Sequence, residues 1–148
     1  MPLQFTGEFF LPGQTPKRLE EDPVERYKFA CRFVEGKTVL DIACGVGDGS
    51  NIMAEFRASW VDGVDISKDV IEYAQSNYQV QNLSFHIRDI SQFKPGKIYD
   101  VITGFETIEH VEDHQAVLLN LYSLLKEGGM LIISFPNRTN FAWFKVIS

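Results

Sequence analysis

The order of apolar segments after Gly36 constrains the fold more than any other feature of this chain. Short runs of strand character alternate with segments of helical period. KTVLDI leads to SNIMAEF, and WVDGVDI to SKDVIEYAQSNY; LSFHI and YDVITGF follow, then DHQAVLLNLYSLLKE and MLIISF. Runs such as KTVLDI are apolar at successive positions, the pattern of strands covered on both faces. Strands that alternate with helices join through crossovers, which leave the strands parallel and the helices on both faces. The expected fold class is therefore α/β, a Rossmann-like doubly wound parallel sheet. Helical spacing turns Ile52, Met53 and Phe56 inward on the first of these helices. On the second, capped by Ser67, it turns Val70, Ile71, Ala74 and Tyr78 inward. On the last, ended by Gly128-Gly129, the inner residues are Val117, Leu118, Leu121 and Leu125.

Upstream, residues 1–22 carry Pro2, Gly7, Pro12, Gly13 and Pro16 and read as an irregular arm. DPVERYKFACRFV then predicts a helix with Asp22 as N-cap, Pro23 at the first helical position, and Val24, Tyr27, Cys31 and Val34 inward. The length of 148 residues suits one domain, here residues 23–148. A formal charge of −6, with no cluster of Lys and Arg, disfavours a nucleic-acid partner. The start has no basic region or long apolar run, and no segment approaches the length of a membrane span. The expectation is a soluble cytoplasmic protein. Cys31 and Cys44 match no disulfide framework or metal spacing and read as reduced core thiols.

Ligands of such sheets bind beyond the carboxyl ends of the strands. VLDIACGVGDGS, residues 39–50, places Gly45, Gly47 and Gly49 directly after the first strand. It departs from the dinucleotide fingerprint, since Ser50 stands where a third glycine is required, and it lacks the Lys-Ser/Thr pair of a P-loop. Asp41 at the strand tip would repel a pyrophosphate and attract an ammonium group. Asp65 lies 20 residues beyond Gly45, at the end of the second strand, where an acid accepts from ribose hydroxyls. Asp89 repeats the placement after the third strand, within reach of an exocyclic amine, and Ile66 can lie on an adenine face. The implied ligand has a ribose, an adenine and a cationic end, and no phosphate.

S-adenosylmethionine meets that description. From about Val24 to Asn137 the chain resembles class I S-adenosylmethionine-dependent methyltransferases of the type 11/23 kind, through VLDIACGVG, GVDIS, IRDIS and LLKEGGMLIISFPN in order. The resemblance implies strand order 3-2-1-4-5. It implies cofactor contacts at Asp41, Ala43, Gly45, Gly47, Asp65, Ile66, Asp89, Ile90, Phe105 and His110. Ala43 departs from the glycine that the family commonly has there. The family's sheet carries two further strands, an antiparallel hairpin at its edge, and these are expected to be missing, since the sequence ends 13 residues after Phe135. Strand five would then be a bare apolar edge, through which two copies would pair as a homodimer.

After the fourth strand comes GFETIEHVEDH. On a helical turn Glu106, Glu109 and His110 would share a face, and two carboxylates with an imidazole suit Mg²⁺. This stretch also resembles metal-assisted O-methyltransferases, in which a metal orients a hydroxyl and lowers its pKa. The alternative is a pocket without metal, in which His110 or Glu109 is the general base. His114 reads as a solvated residue at a helix start, and His86 as a structural histidine within a strand. The function expected is methyl transfer to a small-molecule or sugar/glycan acceptor at oxygen. RNA 2′-O-methylation and a catalytically incomplete cofactor-binding or oligomerisation module stand as alternatives.

Overall fold

A computed structural model describes residues 17–135 and 142–147. The chain runs α1 (Lys17–Ala30), β1 (Thr38–Ile42), α2 (Asp48–Glu55), β2 (Trp60–Asp65), α3 (Lys68–Asn77), β3 (Leu83–Ile87), β4 (Tyr99–Phe105), α4 (His114–Leu124), β5 (Leu125–Phe135) and β6 (Ala142–Ile147). Among the described residues one sheet holds six strands in the order β3-β2-β1-β4-β5-β6. The first five are parallel, and β6 returns antiparallel along β5.

Alternate residues of each strand face opposite sides, and both sides are covered. Val39, Val61, Val101 and Ile132 pack beneath α1, α2 and α3, with Val34, Met53 and Ile71. Leu40, Ile42, Ile102 and Ile133 pack beneath α4, with Val117, Leu121 and Leu124. Each fully buried side chain of this size contributes roughly 1.5–3 kcal/mol. Val24 to Val34 continue from α1 into a 3₁₀ turn at Cys31–Phe33.

Several expectations change. α1 starts at Lys17, six residues before the first helical position expected at Pro23, because KRLEED consists largely of good helix formers. α2 ends at Glu55, which leaves Phe56 exposed instead of inward. Leu118 is exposed as well, and Leu124 takes the inner position. Ser67 occupies the N-cap position of α3 without a side-chain cap bond. The sixth strand expected to be missing is present. Its register pairs Met130 with Ile147 and Phe135 with Ala142. The bare edge of β5, on which the expected homodimer rested, is therefore covered by the chain's own return, which satisfies its backbone groups within one molecule. The expected arm up to residue 16, and Pro136-Asn137, lie outside the described residues. Among those residues no helix is long and apolar enough to cross a membrane.

A polar cluster sits within the α4 side of the sheet. Asp62, buried in β2, accepts from Trp60 Nε1 (2.9 Å) and Tyr99 OH (2.7 Å), and meets His86 Nε2 (2.9 Å) and Lys97 Nζ. His86 is thus the structural residue its position in β3 suggested. Both cysteines are buried and free, and burial pushes Cys31 up to about 11 and Cys44 well above its usual value, so both are neutral thiols.

Candidate functional site

β1 and β4 are neighbours, and β2 leaves β1 on the other side, so strand order reverses between β1 and β4. A crevice at such a reversal is where ligands of these sheets sit. Two recesses, of about 290 and 490 Å³, lie elsewhere among the described residues, the larger between Lys37, Asp100 and Gly129 at the amino ends of the strands. The strand-end geometry therefore defines the site.

Asp41 was expected at the lip of the turn. It lies beneath it instead, fully buried, because odd-numbered residues of β1 face α1 to α3. Its Oδ2 accepts from Ser50 Oγ (2.6 Å), its Oδ1 from Thr103 Oγ1 (2.8 Å), and both from Tyr27 OH (3.1 and 3.2 Å). Burial raises the carboxyl to about 6, against the hydrogen bonds from Ser50, Thr103 and Tyr27. Burial and the neighbouring carboxylate push the Tyr27 phenol well above its usual value. The negative charge thus acts from below the turn.

Above it the backbone turns sharply. Gly47 sits at φ +88, and a Cβ there would lie 2.5 Å from the Phe85 ring. Gly49 leaves space for Tyr27, whose ring would be 2.0 Å from an added Cβ. Ala43 occupies the left-handed region at φ +50 with its methyl exposed, so the departure from glycine is a strained position.

Asp65 fastens the turn to the next strand end. Its Oδ2 accepts from Gly45 N (3.0 Å) and its Oδ1 from Ser67 N (2.9 Å), while the residue stays partly exposed. Beside it Ile66 is 72% exposed, an apolar face held out to solvent. Asp89 is exposed, and its Oδ1 accepts from Ser91 N and Oγ (2.9 and 2.8 Å). Ile90 was expected to contact the cofactor. Its side chain packs into the α4-side core, so any contact there falls to its backbone.

At the end of β4, Phe105 meets Tyr27 edge to face, with centroids 4.9 Å apart. Glu106 follows at φ +50, with its N–H on Ser134 Oγ (3.1 Å) and its carboxylate on Arg26 (2.7 Å). The metal triad does not assemble. The turn is 3₁₀ over Ile108–His110, Glu106 is ion-paired to Arg26, and His110 is 78% exposed, 3.9 Å from Glu109. Among the described residues no group of three His, Cys, Asp or Glu side chains could hold a metal ion. Glu109 Oε2 is buried without a hydrogen-bond partner. His114 opens α4, as its position suggested.

Residues 33–145 match the methyltransferase domain family. The chain belongs to this family. It is 37% identical over 117 residues to the ubiquinone biosynthesis O-methyltransferase of Coxiella burnetii, across 77% of this chain and 50% of that protein. Malonyl-[acyl-carrier protein] O-methyltransferase 1 of Ilyobacter polytropus is 34% identical, across 74% of this chain and 43% of its own length. Among solved structures, the plantazolicin methyltransferase BpumL in complex with S-adenosylhomocysteine superposes with a TM-score of 0.69 at 26% identity, covering 81% of this chain and 50% of that one. The fold is that of class I S-adenosylmethionine-dependent methyltransferases. The chain spans half or less of the length of these relatives.

Arg26, Tyr27, Ser50 and Thr103 were not singled out as site residues from the sequence. Thr103, polar within the apolar run of β4, was the available hint. Tyr27 had been read only as part of the inner stripe of a helix.

Proposed function

We propose that this chain binds S-adenosylmethionine over the Gly45–Gly47 turn and transfers its methyl group to a hydroxyl oxygen of a small-molecule or sugar/glycan acceptor. The observation that carries the reading is Asp65. Two backbone N–H groups orient its carboxylate at the end of β2, it remains accessible, and Ile66 beside it offers an apolar face. A ribose and an adenine fit that pair. The relatives named O-methyltransferases support transfer to oxygen.

The residues present fit this cofactor. Asp65 would hold the ribose hydroxyls, Ile66 would cover an adenine face, and Asp89 with the backbone at Ile90 would meet the adenine amine. Gly45 and Gly47 offer bare backbone to the methionine moiety, with Ala43 at its edge and the buried charge of Asp41 favouring the ammonium group from below. Phe105 would close over the methionine end. Once bound, the cofactor supplies a sulfonium-activated methyl group.

The protein's own task is then positioning and proton removal. Glu109, whose side chain stays partly exposed at the 3₁₀ turn, would accept the acceptor's hydroxyl proton. His110, largely exposed, would border the acceptor entrance.

Calorimetric titration tests the reading. S-adenosylhomocysteine binds wild-type protein in preference to NAD, and Asp65→Ala weakens that binding at least tenfold. Preference for NAD overturns the proposal.

A further inference from the structure

We infer that α1 is a clasp across the β1/β4 crevice and that Arg26 is a positioning residue, a proposal that rests on the cofactor site proposed above. Consecutive residues of α1 grip the two strands on either side of the reversal point. Tyr27 donates to Asp41 at the end of β1 and lays its ring against Phe105 at the end of β4. Arg26, 6% exposed, pairs at 2.7 Å with Glu106, 80 residues away in sequence.

A guanidinium this buried is tolerated only with its charge matched. The pair therefore fixes Glu106, whose backbone sits at φ +50, a conformation that persists only where its surroundings enforce it. Arg26 holds the carboxylate, and Ser134 Oγ accepts from the Glu106 N–H. With both ends fixed, the chain enters the turn at Ile108–His110 in one direction, closed by His110 N on Thr107 O (3.1 Å). That turn carries Glu109. Arg26 thereby acts through Glu106 on the position of Glu109, and α1 becomes one wall of the crevice.

The test compares wild type, Arg26→Ala, Glu106→Gln and the exchanged pair Arg26→Glu/Glu106→Arg. Amide hydrogen exchange over residues 105–110 is read without and with S-adenosylhomocysteine, together with its affinity by calorimetry. Both single variants are expected to exchange at least tenfold faster at 106–110 and to bind about tenfold more weakly. The exchanged pair recovers most of both losses. Glu106→Gln changes only the solvent-facing partner, so it reports even where Arg26→Ala disturbs folding. Wild-type exchange and affinity in the single variants overturn the clasp. Wild-type protein that does not bind S-adenosylhomocysteine defeats the cofactor reading instead, and the exchange comparison still decides whether Arg26 orders the turn.

Discussion

Replacing Asp62 with alanine separates a network that holds the sheet together from a set of incidental contacts. The carboxylate is buried and collects Trp60, Tyr99, His86 and Lys97. The contributions differ with exposure. Lys97 and His86 are 46% and 36% exposed, so their heads regain water when the acid is lost, and each is worth only about 0–1 kcal/mol. Tyr99 is fully buried, and its stranded hydroxyl costs about 1–3 kcal/mol. The Trp60 bond adds about 1 kcal/mol. The sum is about 4 kcal/mol, and at roughly 2–4 °C per kcal/mol for a chain of this size Tm falls by about 8–16 °C.

The pH dependence gives a second check. Burial would raise the Asp62 carboxyl, but hydrogen bonds from His86, Lys97, Trp60 and Tyr99 outweigh it and hold the group well below the usual carboxylate range. A depressed carboxylate contributes its stability in full above its unfolded value of about 3.9 and loses it as pH falls further. Urea unfolding of wild type and Asp62→Ala at pH 7 and at pH 3 measures both effects. A gap below 0.5 kcal/mol at pH 7, or one that fails to narrow at pH 3, refutes the reasoning.

Asp41 runs the opposite way. Burial raises its carboxyl to about 6, so the folded state binds a proton more tightly than the unfolded one, and stability falls as pH rises from about 4 to 6 by about 3 kcal/mol. Asp41→Asn removes that slope from a series of unfolding curves, and in wild type S-adenosylhomocysteine binds more tightly as pH rises through about 6. Ala43→Gly relieves a left-handed alanine and is expected to raise stability by about 0.5–1 kcal/mol in thermal unfolding; a fall in Tm contradicts the strain. Gly49→Ala drives a methyl into the Tyr27 ring, so it is expected to destabilise by more than about 2 kcal/mol and to speed amide exchange in α1, whereas unchanged exchange there contradicts the packing.

The sheet was legible because its evidence is local. β3 and β4 match LSFHI and YDVITGF residue for residue, since continuous apolar runs between turns admit few other readings. Asp65 was legible for the same reason, as an acid at a strand end. The errors share a different cause. Arg26 and Glu106 meet only because β4 folds beside β1, and a spacing rule applied to Glu106, Glu109 and His110 assumes a helical turn that the φ of +50 at Glu106 breaks. Asp41 looked like a lip residue because its position is terminal in sequence, while the pleat of β1 turns it under three helices. Asp62 passed unnoticed inside β2 because its four partners come from the strand itself, the next strand, a loop and β4. β6 was expected to be missing, since antiparallel pairing to β5 is a property of the folded sheet.

A crystal structure with S-adenosylhomocysteine addresses the central claim, that the acids at this sheet's mouth select an unphosphorylated nucleoside, most directly. The account predicts both ribose hydroxyls on the Asp65 carboxylate, with the methionine portion crossing the Gly45–Gly47 turn above Asp41. Nucleoside density seated away from Asp65, or a diphosphate from a competing nucleotide lying on that turn, would contradict it.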